Sequence, residues 1–342
     1  MSHNMIVTGG AGFIGSNFVE MMVEKGHNVY VVDKLTYAGH KENLESIKGP
    51  GSFELIEGDI CNADLMASLL KSKNIQSVVH FAAESHVDRS IDGPAEFIQT
   101  NIQGTFTLLD QSYQYWKGLD PQTQKDFRYL QVSTDEVYGE LGEEGYFSET
   151  TPYSPNSPYS ASKAAGDHLV RAWFHTYQLP TITTNCSNNY GPKQFPEKLI
   201  PHMINCALSE KPLPVYGDGK NVRDWIHVKD HCYGVYLALT EGVPGETYCF
   251  GGRAERQNLT VVHTLCDALD KIRPRSSGES YRQLITFVED RKGHDWRYAI
   301  DDSKAENQLG FKRQWSFETG ISETIQWYLN NEKWAQAVLE KA

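Results

Sequence analysis

Gly9, Gly12 and Gly15 stand at the first, fourth and seventh places of the stretch Gly9-Gly10-Ala11-Gly12-Phe13-Ile14-Gly15, which joins an apolar run, Met5 to Thr8, to an amphipathic one, Phe13 to Lys25. Few folds accept such a junction. Without Cβ atoms, Gly9 and Gly12 let backbone N–H groups close on a pyrophosphate at the positive end of a helix, and Gly15 lets that helix lie against a strand. The next β-rich run ends at Asp33, 24 residues after Gly9. A carboxylate there can accept hydrogen bonds from both ribose hydroxyls of adenosine and repels a 2'-phosphate, so NAD is expected over NADP; Lys34 beside it works the other way. Asp59 and Ile60, at the end of the third strand, are placed to reach the adenine.

The runs Met5 to Thr8, Asn28 to Asp33, Phe53 to Gly58, Ser77 to Ala82 and Tyr129 to Ser133 read as strands. Longer helical patterns separate them, such as Phe13 to Lys25, closed by Gly26, and Pro94 to Trp116. This alternation predicts an α/β fold, a Rossmann-type doubly wound parallel sheet with helices on both faces. Beyond about Asn188 the rhythm changes: Pro192, Pro196, Pro201, Pro212 and Pro214 break it, and shorter elements follow Gly-rich turns. The expected division is an NAD-binding domain over 1–188 and a smaller C-terminal α/β substrate domain over 189–342. Val235 to Thr240 and Thr247 to Phe250 again read as helix then strand, so part of 224–252 is expected to rejoin the first sheet.

Forty-four acidic against 32 basic residues leave a net charge of -12, which argues against general affinity for nucleic acid or anionic membrane. With 39 % hydrophobic and 22 % charged residues and no apolar run long enough to cross a bilayer, the chain reads as an ordinary soluble protein of one or two domains. The N-terminus runs straight into a strand, and the expected location is cytoplasmic. The six cysteines are scattered, with no Cys-x-x-Cys pair, and are expected to be reduced, buried and inert. His227 and His231 lie one helical turn apart without a third ligand pattern, so they are taken as structural and no metal is expected.

Ser157-Pro158-Tyr159-Ser160-Ala161-Ser162-Lys163 offers an N-cap serine and a first-turn proline, followed by apolar residues at helical spacing. Tyr159 and Lys163 therefore share one helix face. A phenol is a poor base at neutral pH, but a neighbouring ammonium and the positive charge of a nicotinamide stabilise the phenolate. Upstream, Thr134, Asp135 and Glu136 sit at the carboxyl end of the strand that begins near Tyr129, where open α/β sheets bind their ligands.

With these motifs the chain resembles the extended short-chain dehydrogenase/reductases that modify nucleotide sugars and, more narrowly, the 4,6-dehydratase family acting on dTDP-glucose. The matching stretches cover nearly the whole chain: Thr8 to Ser16, Asp33 to Gly39, Ala82 to Asp88, Ser133 to Gly139, Asn185 to Pro192 and Pro196 to Pro201. Epimerases and decarboxylases of the same branch share Tyr159 and Lys163 but generally lack the Asp135-Glu136 pair. The resemblance implies a lyase with tightly bound NAD, regenerated each turnover. Tyr159 would take the C4 hydroxyl proton as hydride leaves C4, and Thr134 would hydrogen-bond the C4 oxygen. Glu136 would then remove the C5 proton while a protonated Asp135 gives its proton to the departing C6 hydroxyl. Two adjacent carboxyls hold opposite protonation states only if their surroundings push their pKa values apart.

The resemblance also places Gly9, Gly12, Phe13, Ile14, Gly15, Asp33, Lys34, Leu35, Thr36, Asp59 and Ile60 at the cofactor. Phe81, Ala82, Ala83, Ser85, Thr100, Tyr159, Lys163 and Asn189 complete that set. For the nucleotide sugar it places Ser85, Thr134, Asn188, Lys198, Leu199, Pro214, Val215, Tyr216, Arg223, Asn258, Asp290, Arg291 and His294. A guanidinium fork matches paired phosphate oxygens, as Arg223 and Arg291 would require, though either could be an ordinary surface ion pair. Two features depart from the family pattern: Lys292 stands where proline is common, and the Glu140 to Phe147 loop is short. A homodimer through helices at about Pro94 to Trp116 and Pro158 to Tyr177, and a product feeding deoxysugar synthesis such as that of rhamnose, are further implications. The rivals are a UDP-glucose 4,6-dehydratase and, less so, a protein that binds nucleotide sugar or NAD without turnover.

Overall fold

The computed structural model describes residues 2–290 and 295–340. Its strands are β1 (Asn4–Thr8), β2 (Asn28–Asp33), β3 (Ser52–Glu57), β4 (Ser77–His80), β5 (Arg128–Thr134), β6 (Thr181–Cys186), β7 (Asn188–Tyr190), β8 (Leu213–Tyr216), β9 (Val222–His227), β10 (Thr247–Phe250), β11 (Glu255–Gln257) and β12 (Ile285–Val288). Seven of them form one parallel sheet in the order β10-β6-β5-β4-β1-β2-β3. The chain runs outward from β1 to one edge and then returns to β4 on the other side. The crevice at the carboxyl ends of β1 and β4 is where such sheets bind ligands.

Because side chains alternate along a strand, the sheet divides its apolar residues between two faces. Val7, Val31, Val79 and Leu130 join a core with the helices Phe13–Glu24 and Val228–Glu241. Their neighbours Ile6, Val32, Val78 and Tyr129 pack on the other face, against Ala63–Ser72, Thr105–Trp116 and Pro158–Tyr177. A separate core, with Tyr190, Ile204, Leu213, Trp225, Leu265 and Ile325, lies under the later helices and the two small sheets β11-β9-β7 and β12-β8. Strand β10, late in the chain, pairs with β6 in the large sheet. Among the described residues no helix is long and apolar enough to cross a membrane.

Two elements differ from the sequence reading. Strand β6 was not foreseen, because Thr181–Cys186 carries threonines and an asparagine, yet all six residues are buried. Their polar atoms reach neighbouring carbonyls: Thr184 Oγ1 donates to Gln131 O at 3.3 Å and Asn185 Nδ2 to Thr134 O at 2.9 Å. The helix from Pro94 to Trp116 is not uniform but widens to a π-helix over Ile98–Gly104. There the Asn101 side chain bridges the amide and carbonyl of Glu84 and donates to Ser162 Oγ at 2.8 Å.

Candidate active site

The first turn is built as its glycines require. Gly9 adopts φ +68°, and a Cβ on it would lie 2.6 Å from the Ala82 nitrogen; one on Gly15 would lie 2.2 Å from the Gly9 carbonyl oxygen. Gly12 caps the helix Phe13–Glu24 with no side chain on its amides and no acid in its first turn. That leaves an uncompensated positive helix end facing the crevice. Asp33 is aimed by two backbone amides: Ala11 N donates to Oδ2 and Leu35 N to Oδ1, each at 2.9 Å. Burial pushes its carboxyl up, and the two amides pull it back. Lys34, which could have favoured a 2'-phosphate, pairs with Asp59 at 3.0 Å. This donor set fits NAD.

A cleft of about 340 Å³ opens at this crevice, and every cofactor residue named above lines it except Leu35, whose part is the amide on Asp33. Thr134, Asp135, Glu136, Tyr159 and Lys163 line the same cleft. The helix Pro158–Tyr177 starts in a reciprocal cap, Ser157 and Ser160 bonding each other's backbone amides, which fixes Tyr159 in the first turn. On the strand side, Thr134 ends β5 and its hydroxyl accepts from the Glu136 amide at 3.3 Å, tightening the turn Asp135–Tyr138.

Electrostatics separate the groups. Asp135 is 2 % exposed, and its carboxyl is raised well above the usual range by burial and then by the charges of Glu136 and Asp224. Burial thus favours its protonated form, beside a half-buried glutamate. Tyr159 is likewise pushed up, by burial first and then by Glu136, with a Thr134 hydrogen bond pulling down. The Lys163 ammonium, one turn further along the helix, donates to the Val132 carbonyl at 2.8 Å. Phenolate becomes accessible only when further positive charge arrives beside it.

Ser85, Asn188 and Lys198 also line the cleft, and the buried Asn188 Oδ1 has no hydrogen-bond partner. Leu199, Pro214, Val215, Tyr216, Asn258 and Asp290 are not part of that lining; Val215 belongs to the second core and Leu199 packs against it. Arg223 is no surface ion pair: it is 5 % exposed, stacks 4.4 Å over the Tyr298 ring and donates to the Val222, Trp296 and Asp295 carbonyls. Arg291 and His294, like Lys292, fall outside the described residues. The loop from Glu140 to Phe147 is bridged to Arg297 and Ile300. His227 contacts Glu323 at 3.3 Å and His231 bonds Asn189 Oδ1 at 3.0 Å. Cys61 and Cys206 are half-buried, not buried as expected; the buried Cys186 lines the cleft, and burial pushes its thiol up. The sequence reading passed over Glu84, Gln194, Phe195 and Glu197, which also line it; Glu84 and Glu197 stand inside matching stretches and carried a signal.

Comparisons with known proteins agree with this geometry. The family profile described as GDP-mannose 4,6 dehydratase matches residues 6–324. A protein of Xanthomonas campestris pv. campestris (strain B100) named dTDP-glucose 4,6-dehydratase is 56 % identical over 98 % of this chain and 95 % of its own. One of Escherichia coli K12 named dTDP-glucose 4,6-dehydratase 1 is 52 % identical over the same shares. Among solved structures, a dTDP-glucose 4,6-dehydratase of Bacillus anthracis in complex with NAD superposes with a TM-score of 0.86 at 44 % identity, covering 98 % of this chain and 100 % of that one. A UDP-glucose 4-epimerase of Thermotoga maritima reaches 0.85 at only 27 % identity, covering 96 % and 99 %. The backbone alone therefore does not separate the two chemistries.

Proposed function

The chain belongs to the GDP-mannose 4,6-dehydratase family, and from that membership we propose that it converts dTDP-α-D-glucose to dTDP-4-dehydro-6-deoxy-α-D-glucose and water. The observation that carries the dehydratase reading, as against an epimerase, is Asp135. A buried carboxyl pushed towards its protonated form next to Glu136, at the strand end in the same cleft as Tyr159, has no task in inverting one carbon. It has one in expelling water.

When bound, NAD supplies the acceptor for the hydride leaving C4 and the donor for its return to C6. The residues do the rest. Tyr159 takes the C4 hydroxyl proton, and Thr134 orients the C4 oxygen. The resulting ketone acidifies C5–H, whose proton Glu136 removes. Asp135 gives its proton to the C6 hydroxyl, which departs as water, and C5 is later reprotonated. Gly9, Gly12 and Gly15 with Asp33 hold the cofactor, while Ser85 lies near the sugar and Asn188, Lys198 and Leu199 hold the nucleotide diphosphate. Arg223, Pro214 to Tyr216 and Asn258 serve the nucleotide, together with Arg291 and His294.

The division at about residue 188, with part of 224–252 (β10) in the large sheet, then separates cofactor from nucleotide binding. A homodimer is supported by the exposed Ile98, Phe106 and Tyr177 on the helices at Pro94–Trp116 and Pro158–Tyr177. A cytoplasmic protein whose product feeds deoxysugar synthesis, rhamnose among the outlets, completes the reading. Incubating the purified protein with dTDP-glucose and weighing the product by mass spectrometry tests it. A sugar nucleotide lighter by one water is expected, and unchanged substrate even with NAD supplied would refute the assignment.

A further inference from the structure

The helix that carries Tyr159 and Lys163 carries a third buried ionisable side chain, Asp167, that this reaction leaves unused. Asp167 follows Lys163 by one helical turn on the same face, 4 % exposed against 5 % for the lysine. Successive residues at the end of β5 hold the two. Lys163 Nζ donates to Val132 O at 2.8 Å, and Ser133 Oγ donates to Asp167 Oδ2 at 2.6 Å. The Tyr153 hydroxyl donates to the same carboxylate oxygen at 3.1 Å.

A buried ammonium with only a carbonyl beside it is a poor cation. Burial lowers the proton affinity of Lys163, and Asp167 is foremost among the charges that restore it. The other ionisable groups facing the pair do not supply that charge. His80 from β4 is pushed down to about 3 and stays neutral. Cys186 from β6, Tyr129 from β5, Tyr138 from the following turn and Tyr153 are all pushed up by burial and keep their protons. His168, next on the same helix, is exposed. Asp167 itself is raised to about 6 by burial, against the pull of Lys163, Ser133 and Tyr153, so it is ionised at neutral pH.

We propose that Asp167 is a positioning residue, the fixed counter-charge that keeps Lys163 protonated in the cleft during the reaction. The proposal rests on the dehydratase reading, in which Lys163 must be a cation while Tyr159 loses its proton. It is tested in the full-length, NAD-loaded enzyme by Asp167→Asn. Relative to wild type, kcat near neutral pH is expected to fall about tenfold or more, with KM and bound NAD within about twofold. The alkaline limb of the kcat profile should move down by about one pH unit or more, and Asp167→Glu should restore it. An unchanged kcat, or a fall with the limb unmoved, overturns the proposal. If the single variant does not fold, Lys163→Met/Asp167→Asn decides, because it leaves no unmatched buried charge: it should fold and melt above the single variant, and failure to do so overturns the proposal. Wild type that does not turn over dTDP-glucose would instead sink the dehydratase reading itself.

Discussion

Asp135 and Glu136 show how two neighbouring carboxyls come to differ. The first points inward from the end of β5 and is raised by burial and by its neighbour's charge; the second is half-buried at the cleft. Replacing the base and keeping the acid should split the reaction. Glu136→Gln is expected to retain C4 oxidation, seen as reduction of bound NAD, while water loss falls about a hundredfold or more. Equal loss of both steps would deny Glu136 its separate role. Buried histidines set a second expectation: burial pushes His80 and His231 from the ordinary 6.5 down to about 3. Above 6.5 their contribution to stability is complete. As pH falls towards 3 the unfolded chain takes up protons that the fold refuses, so each histidine removes about 1.4 kcal/mol per pH unit. The carboxyls raised by burial, Asp33, Asp135 and Asp167 among them, work the opposite way. Compared with wild type, His231→Gln should therefore lose about one proton's share of the slope of the urea midpoint against pH between about 6.5 and 5. An unaltered slope would mean that His231 is charged in the fold.

At the scale of elements, the sequence is most legible where the constraint is local. The turn from β1 into the helix Phe13–Glu24 could be read because each glycine answers a contact within its own few residues or a positive φ. Gly15→Ala, whose methyl would meet the Gly9 carbonyl at 2.2 Å, should cost about 1 to 3 kcal/mol and release bound NAD on gel filtration. Full retention of NAD would show that helix and turn need not approach so closely. Legibility fails where the cause lies elsewhere in the chain. Asn101, in the π-helix, is held by partners 17 and 61 residues away, so nothing in its own neighbourhood announces the wide turn. Strand β6 escaped notice because its buried threonines satisfy themselves on β5 and on the helix Pro158–Tyr177, a pairing invisible to hydrophobic pattern. Asp167 did carry a signal, the spacing of one turn after Lys163, but its meaning needed Ser133 and Tyr153.

For the whole molecule, two cores lie on either side of one cleft, whose lining runs from Gly9 to Lys163 and then from Cys186 to Lys198. The part nearest the sheet was readable from motifs. The nucleotide end was less so, since Arg223 is engaged with backbone carbonyls and Arg291 lies outside the described residues. The exposed Ile98 and Phe106, 50 % and 40 % accessible, make the proposed homodimer testable. Ile98→Asp/Phe106→Asp should sediment as a monomer, and an unchanged dimer would place the interface elsewhere. The most direct test of the central claim is mass spectrometry of the enzyme, with no NAD added, in heavy water with equal dTDP-glucose and UDP-glucose. Loss of one water with one deuterium gained, chiefly in the dTDP sugar, is the predicted result. Water loss without deuterium would contradict proton removal at C5, and preference for the UDP sugar would contradict the substrate.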